Sequence, residues 1–124
     1  MRESDLSRLI QIELSPMGVR LFRFPVGEYE LARGGRIVVG VPGMSDLLGW
    51  TPVTITPAMV GQTLAVFTAC EVKVPGGYTE KARLEKQQRF IDTVRHAGGL
   101  AGFAYNLQEA RAVCSLPNTP GTEG

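Results

Sequence analysis

Apolar positions change period several times along the chain, and each change predicts an element. Residues 3–15 place Leu6, Leu9, Ile10 and Leu14 at helical spacing, which predicts an amphipathic helix ended by Pro16 and Gly18. "GVRLFRF" (18–24) alternates and is rich in β-formers, so it reads as a strand. "PVGEYELARGG" (25–35) reads as a turn or hairpin with polar tips, and "RIVVGV" (36–41) as a second strand. Residues 47–63 show neither period, although "TPAMVG" (56–61) sets proline after threonine and so predicts one helical turn. The most apolar strand runs from Leu64 to Lys73. After the glycine-rich "VPGGYT", residues 80–97 form the strongest helical pattern, closed by Gly98 and Gly99. "LAGFA" (100–104) is a short buried strand, and Asn106 with Glu109 three residues on is a capping pattern for a last helix.

The resulting order, α-β-β-β-α-β-α, implies an α/β fold: a central mixed β-sheet with helices on both faces. A chain of 124 residues can bury one core but not two. A single domain is therefore expected over residues 1–115, with 116–124 as a flexible tail.

Composition changes this picture in two places. A net charge of +1 removes any global electrostatic case for nucleic acid, so a basic surface must be local. Cys70 and Cys114 lack metal-binding spacing and are expected to be reduced core thiols. "MRESDLSRLI" carries charges where a signal peptide needs an apolar run, and no stretch approaches transmembrane length. The expectation is a soluble, cytoplasmic protein. A lone His96 gives no support to a histidine zinc site or a hydrolase triad, and "GGRIVVG" lacks the ending of a phosphate loop.

The candidate chemistry starts at "CEVKVP" (70–75), an acid and a base closing the most apolar strand. Glu71 and Lys73 point to one face and Val72 to the other. Either the strand end is solvated and the pair is a weak surface bridge, or it lines a cleft. From Ile37 to Cys70 the only charged residue is Asp46, which is either a turn aspartate or a ligand. In the cleft reading, Asp46 and Glu71 bind a hard divalent cation, the Val72 carbonyl adds an oxygen, and Lys73 faces a phosphate or the attacking water. Gln87 falls inside the apolar stripe Leu84, Ile91 and Val94 of the long helix, as a helix-end residue or as an amide aimed at Lys73. Glu3 sits at a helix N-terminus, where the macrodipole alone favours an acid.

Asp46, Glu71-Val72-Lys73 and Gln87 together resemble the Asp…Glu-x-Lys nuclease motif. "GVRLFRFPVG", "GMSDLLGWTPVTITPAMVGQTLAVFTACEVK" and "QQRFIDTVRHAGGLAGFA" resemble, more closely, the virus-type replication–repair nuclease (VRR-NUC) domain of the PD-(D/E)XK superfamily, in its stand-alone phage and bacterial form. The resemblance covers residues 3–113. It implies a restriction-endonuclease-like core in a bacterial or phage-infected cell. Asp46 and Glu71 become metal ligands, Lys73 the catalytic lysine and Gln87 the family's helix glutamine, with Phe90-Ile91 setting the register. Glu3 stands where the family has a first-helix glutamate. The family's Pro-Asp element is not literal here, since Pro42 lies four residues before Asp46.

The resemblance also implies Mg²⁺ or Mn²⁺, branched DNA such as a four-way junction as substrate, and a Holliday-junction-resolvase-like homodimer. The rivals are a nuclease of the same fold without junction preference (flap or restriction-type), a non-catalytic DNA-binding module, and an unrelated small α/β interaction protein in which Asp46, Glu71 and Lys73 coincide by chance. Local DNA contacts are expected from Arg23 on the first strand and from Tyr78 and Lys81 around the loop after Lys73.

Overall fold

The computed structural model describes residues 1–116, and the tail expected at 116–124 lies outside them from residue 117 onward. Two compact units divide the chain, Met1–Thr54 and the residues from Ile55 on.

The first unit opens with helix α1 (Glu3–Leu14), which runs into a 3-10 turn at Ser15–Met17. Its inner face is turned slightly from the expected stripe. Ser7 is buried and Ile10, Gln11 and Leu14 are half-buried, whereas Leu6 and Leu9 are exposed. The Gln11 amide donates a 2.8 Å hydrogen bond to the Leu21 carbonyl, which fixes α1 to strand β1 (Arg20–Arg23). Strands β2 (Gly27–Glu30) and β3 (Arg36–Val39) form an antiparallel hairpin, with Glu28 opposite Val38. Strand β4 (Leu47–Trp50) pairs antiparallel with β1, and the rings of Phe22 and Trp50 lie 5.5 Å apart across it.

In the second unit, a 3-10 turn at Pro57–Met59 marks the expected helical turn. Strand β5 (Thr68–Val72), helix α2 (Lys81–His96) and strand β6 (Leu100–Ala104) form a β-α-β crossover whose strands run parallel. Helix α3 (Leu107–Val113) follows. Its cap is reciprocal: the Asn106 side chain accepts from the Glu109 N–H, and Glu109 Oε1 accepts from the Tyr105 N–H, each at 2.8 Å. The C-terminus of α2 is closed by two turns of backbone, Gly98 N–H to the Arg95 carbonyl and Gly99 N–H to the Val94 carbonyl. This pattern needs a left-handed residue, and Gly98 supplies it with φ of 96°.

The core of this unit is the seam between α2 and the strands. Ile91 and Val94 on α2 are buried at 2% and 0% exposure, against Ala101 and Ala104 of β6. Side chains of that size contribute roughly 1.5–3 kcal/mol each on burial. The mixed α/β class is as the sequence implies. Among the described residues, however, the strands pair as three two-stranded ladders, two antiparallel and one parallel, where one central sheet was expected. The cysteines also depart from expectation: both thiols are free, as expected, but exposed instead of buried.

Candidate active site

The parallel ladder continues one residue beyond β5, because the Lys73 N–H donates to the Ala104 carbonyl at 2.9 Å. This bond holds the Lys73 backbone at the carboxyl end of a parallel strand, the position where α/β folds commonly open a crevice. Alternation along β5 is plain. Ala69, Glu71 and Lys73 are half-buried, while Cys70 and Val72 face out and Val72 is 71% exposed. The charged face is therefore the one turned toward α2, the inverse of ordinary patterning.

Lys73 is held from two sides. Its ammonium donates to Gln87 Oε1 at 2.7 Å and to Thr79 Oγ1 at 2.8 Å. It also stands 5.8 Å from the centre of the Phe103 ring, within cation–π range. A lysine ammonium has three donors, so one remains for a ligand. Gln87 reaches Lys73 because α2 turns it inward. Its neighbour Gln88 bonds Asp92 on the helix exterior at 2.9 Å. The expectation of an amide in the apolar stripe thus corresponds to a real polar contact.

Two clefts meet at this point. The larger, about 720 Å³, is lined by Glu71, Lys73, Tyr78, Thr79, Arg83 and Gln87 among others. The smaller, about 390 Å³, has Glu71, Arg83, Lys86 and Gln87 above an apolar floor that includes Ala69 and Phe90. Glu71 lines both, and its carboxylate has no hydrogen bond or ion pair among the described residues. Thr79 and Arg83 are the residues that sequence reasoning passed over. Thr79 is one polar residue in a glycine-rich loop, and Arg83 is one of several alternating charges along the sequence of α2.

The other candidates lie as follows. Tyr78 is 89% exposed on the wall of the larger cleft, whereas Lys81 starts α2 without lining it. Asp46, Arg23 and Glu3 belong to the first unit. Asp46 immediately precedes β4, and its carbonyl accepts from the Phe24 N–H at 2.8 Å. The turn before it is closed by the Met44 N–H on the Val41 carbonyl, so Pro42 and Gly43 make the turn and Asp46 stands after it. The Asp46 carboxylate is exposed and makes no hydrogen bond among the described residues. Arg23 ends β1, exposed, and Glu3 occupies the first turn of α1 with Asp5.

Among the described residues no group of three or more His, Cys, Asp or Glu side chains gathers to hold a metal. What the site offers is Glu71 with unengaged oxygens, beside the Val72 carbonyl at the same strand end. That is hard oxygen chemistry of the kind Mg²⁺ accepts with one or two carboxylates, water and substrate phosphate. The donor set therefore fits a hard divalent cation.

The fold is mixed α/β, and its second unit carries a Glu-x-Lys strand end whose lysine is braced by a glutamine. A family model for the VRR-NUC domain matches residues 37–106, more than half of the chain, and the chain belongs to that family. It is accordingly a nuclease of the PD-(D/E)XK type, a class that binds DNA and generally uses divalent metals. No significant match was found among curated proteins or solved structures. No helix among the described residues is long and apolar enough to cross a membrane.

Proposed function

We propose that this chain is a divalent-metal-dependent endonuclease that hydrolyses phosphodiester bonds in branched DNA, acting as a homodimer on four-way junctions. The observation that carries the chemical part is the two-point grip of Gln87 and Thr79 on Lys73, two residues from the unengaged Glu71 carboxylate. A surface lysine needs no such bracing. A lysine that must present one N–H in a fixed direction does.

In this reading Glu71 and the Val72 carbonyl hold Mg²⁺ or Mn²⁺, and Asp46 supplies the second carboxylate on the strength of the sequence motif. Glu3 is the remaining acid that the motif suggests. When bound, the metal supplies an acidified water and neutralises charge on the phosphate. Lys73 directs its free N–H to the attacking water or to a non-bridging phosphate oxygen. There it offsets the charge that builds as the new P–O bond forms and the ester P–O bond breaks. Its other two protons are committed to Gln87 and Thr79, which suits an ammonium that donates throughout. The proton released by the water passes to solvent and ultimately protonates the leaving oxygen.

Tyr78, on the cleft wall, contacts the sugar-phosphate backbone in this reading, and Lys81 and Arg23 contribute further positive charge. Such contacts confer affinity without base preference. Junction selectivity and dimerisation rest on the family resemblance. A two-fold dimer presents two equivalent sites to the paired strands of a junction.

The test is cleavage of an end-labelled four-way junction beside a linear duplex of the same sequence, with Mg²⁺, Mn²⁺ or chelator. Paired, metal-dependent nicks on the junction alone support the full reading. Equal cleavage of both substrates retains the nuclease and removes the junction preference. Binding without cleavage in either metal contradicts it and favours a DNA-binding module.

A further inference from the structure

We infer that Arg83 and Lys86 form a phosphate track on α2 that grips the DNA strand being cut. Arg83 takes the phosphate beside Lys73, and Lys86 takes the next one along the helix. The inference rests on the nuclease reading above and specifies how the substrate lies in its site.

Arg83 lines both clefts, together with Glu71 and Gln87, and Lys86 lines the smaller one. Arg83, Lys86 and Gln87 stand at i, i+3 and i+4, so they share one helix face, which continues through Phe90 and Ile91 to the buried Val94. Two cations thus occupy the outer continuation of the packing stripe, beside the residues that brace Lys73. Neither has a hydrogen bond or ion pair among the described residues. The ion pairs found there, Arg2 with Asp5 and Arg36 with Glu28, both lie in the first unit.

Arg83 also brings the helix no benefit. A cation in the first turn of a helix opposes the macrodipole, and Glu80 at the N-cap of α2, three residues before Arg83, forms no ion pair with it among the described residues. Its guanidinium can accept a phosphate in bidentate fashion, and Lys86 can follow a phosphate as a point charge on a flexible stem. Glu80 lines the larger cleft and is the nearby countercharge, but the smaller cleft contains Glu71 alone against Arg83 and Lys86. Once Glu71 is occupied by a cation, that cleft is wholly positive. A polyanion backbone is the occupant this charge pattern fits.

The test is binding of the full-length chain to a fluorescent four-way junction in chelator, across a salt series, for wild type, Arg83→Gln, Lys86→Gln and Arg89→Gln. Glutamine keeps helix propensity, and Arg89 lines neither cleft. Each track variant is expected to lower the slope of log affinity against log salt by about 0.9, hence to weaken binding about eightfold near 0.1 M salt. Arg89→Gln should stay within about twofold of wild type, and metal-supported cleavage at subsaturating enzyme should fall in parallel with binding. Track variants that bind and cleave like wild type overturn the track and leave the nuclease intact. Equal losses in Arg89→Gln also overturn it, by showing diffuse helix charge. A wild-type chain that cleaves no DNA in any metal removes the underlying reading and the track with it, a failure visible before any variant is made.

Discussion

Replacing Gln87 by alanine isolates the contact that distinguishes Lys73 from a surface lysine. The substitution removes the acceptor 2.7 Å from Lys73 Nζ and leaves Thr79 and the Phe103 ring in place. Hydrogen bonds to charged groups contribute about 1.5–3 kcal/mol, and the half-buried setting puts this one toward the low end. If the bond serves the transition state, that range translates to roughly 10- to 150-fold in rate. The expected fall is in the single-turnover cleavage rate at saturating enzyme, with little change in DNA affinity, because Gln87 aims the lysine without replacing it. Thermal unfolding measured in parallel should move by less than the equivalent of about 1 kcal/mol, since alanine is the better helix former. Gln87→Glu keeps an acceptor but adds charge beside Glu71, and should also slow cleavage. A Gln87→Ala enzyme cutting within about twofold of wild type would refute the claim that this amide positions Lys73.

Further outcomes are equally concrete. Thr79→Val should slow cleavage about tenfold while Thr79→Ser restores it, a pattern that a loop-packing role would not produce. Val94→Ala, at a fully buried position on the α2 seam, should cost about 2 kcal/mol in denaturant unfolding; a loss under ~0.5 would show that the seam is not the core. Gly98→Ala should destabilise by about 1 kcal/mol, because its φ of 96° disfavours any side chain, and Gly98→Asn should cost less. Both Cys70 and Cys114 should react with a thiol reagent in the native protein without denaturant. Protection of either would restore the reading of buried thiols.

Elements with strong local signals were legible in the sequence. The 3.6-residue stripe and terminal glycines of α2, the Asn106–Glu109 cap and the strand at residues 100–104 all appear where the pattern puts them. Strand β4 did not announce itself, for a reason that lies in the packing. "LLGW" has no alternation, and Gly49 interrupts it because a Cβ there would run into the Arg20 carbonyl of the paired strand. A close approach between strands is a tertiary fact with no local signature. The strand expected from Leu64 begins only at Thr68, and along it α2 covers the face bearing Glu71 and Lys73 and leaves Val72 open. Glu71, Lys73 and Gln87 were visible as oddities, charges and an amide where apolar residues belong. Thr79 was not, because a threonine in a glycine-rich loop looks ordinary until the fold brings its hydroxyl to the lysine.

The most direct measurement of the central claim is metal-dependent cleavage of labelled DNA by wild type, Glu71→Ala and Lys73→Ala, with folding of each checked by thermal unfolding. The expected result is hydrolysis by wild type in Mg²⁺ or Mn²⁺ that stops with chelator, and a loss of about 100-fold or more in each variant at unchanged fold. A folded wild-type chain that leaves DNA intact in both metals, or variants that cut as fast as wild type, would contradict it.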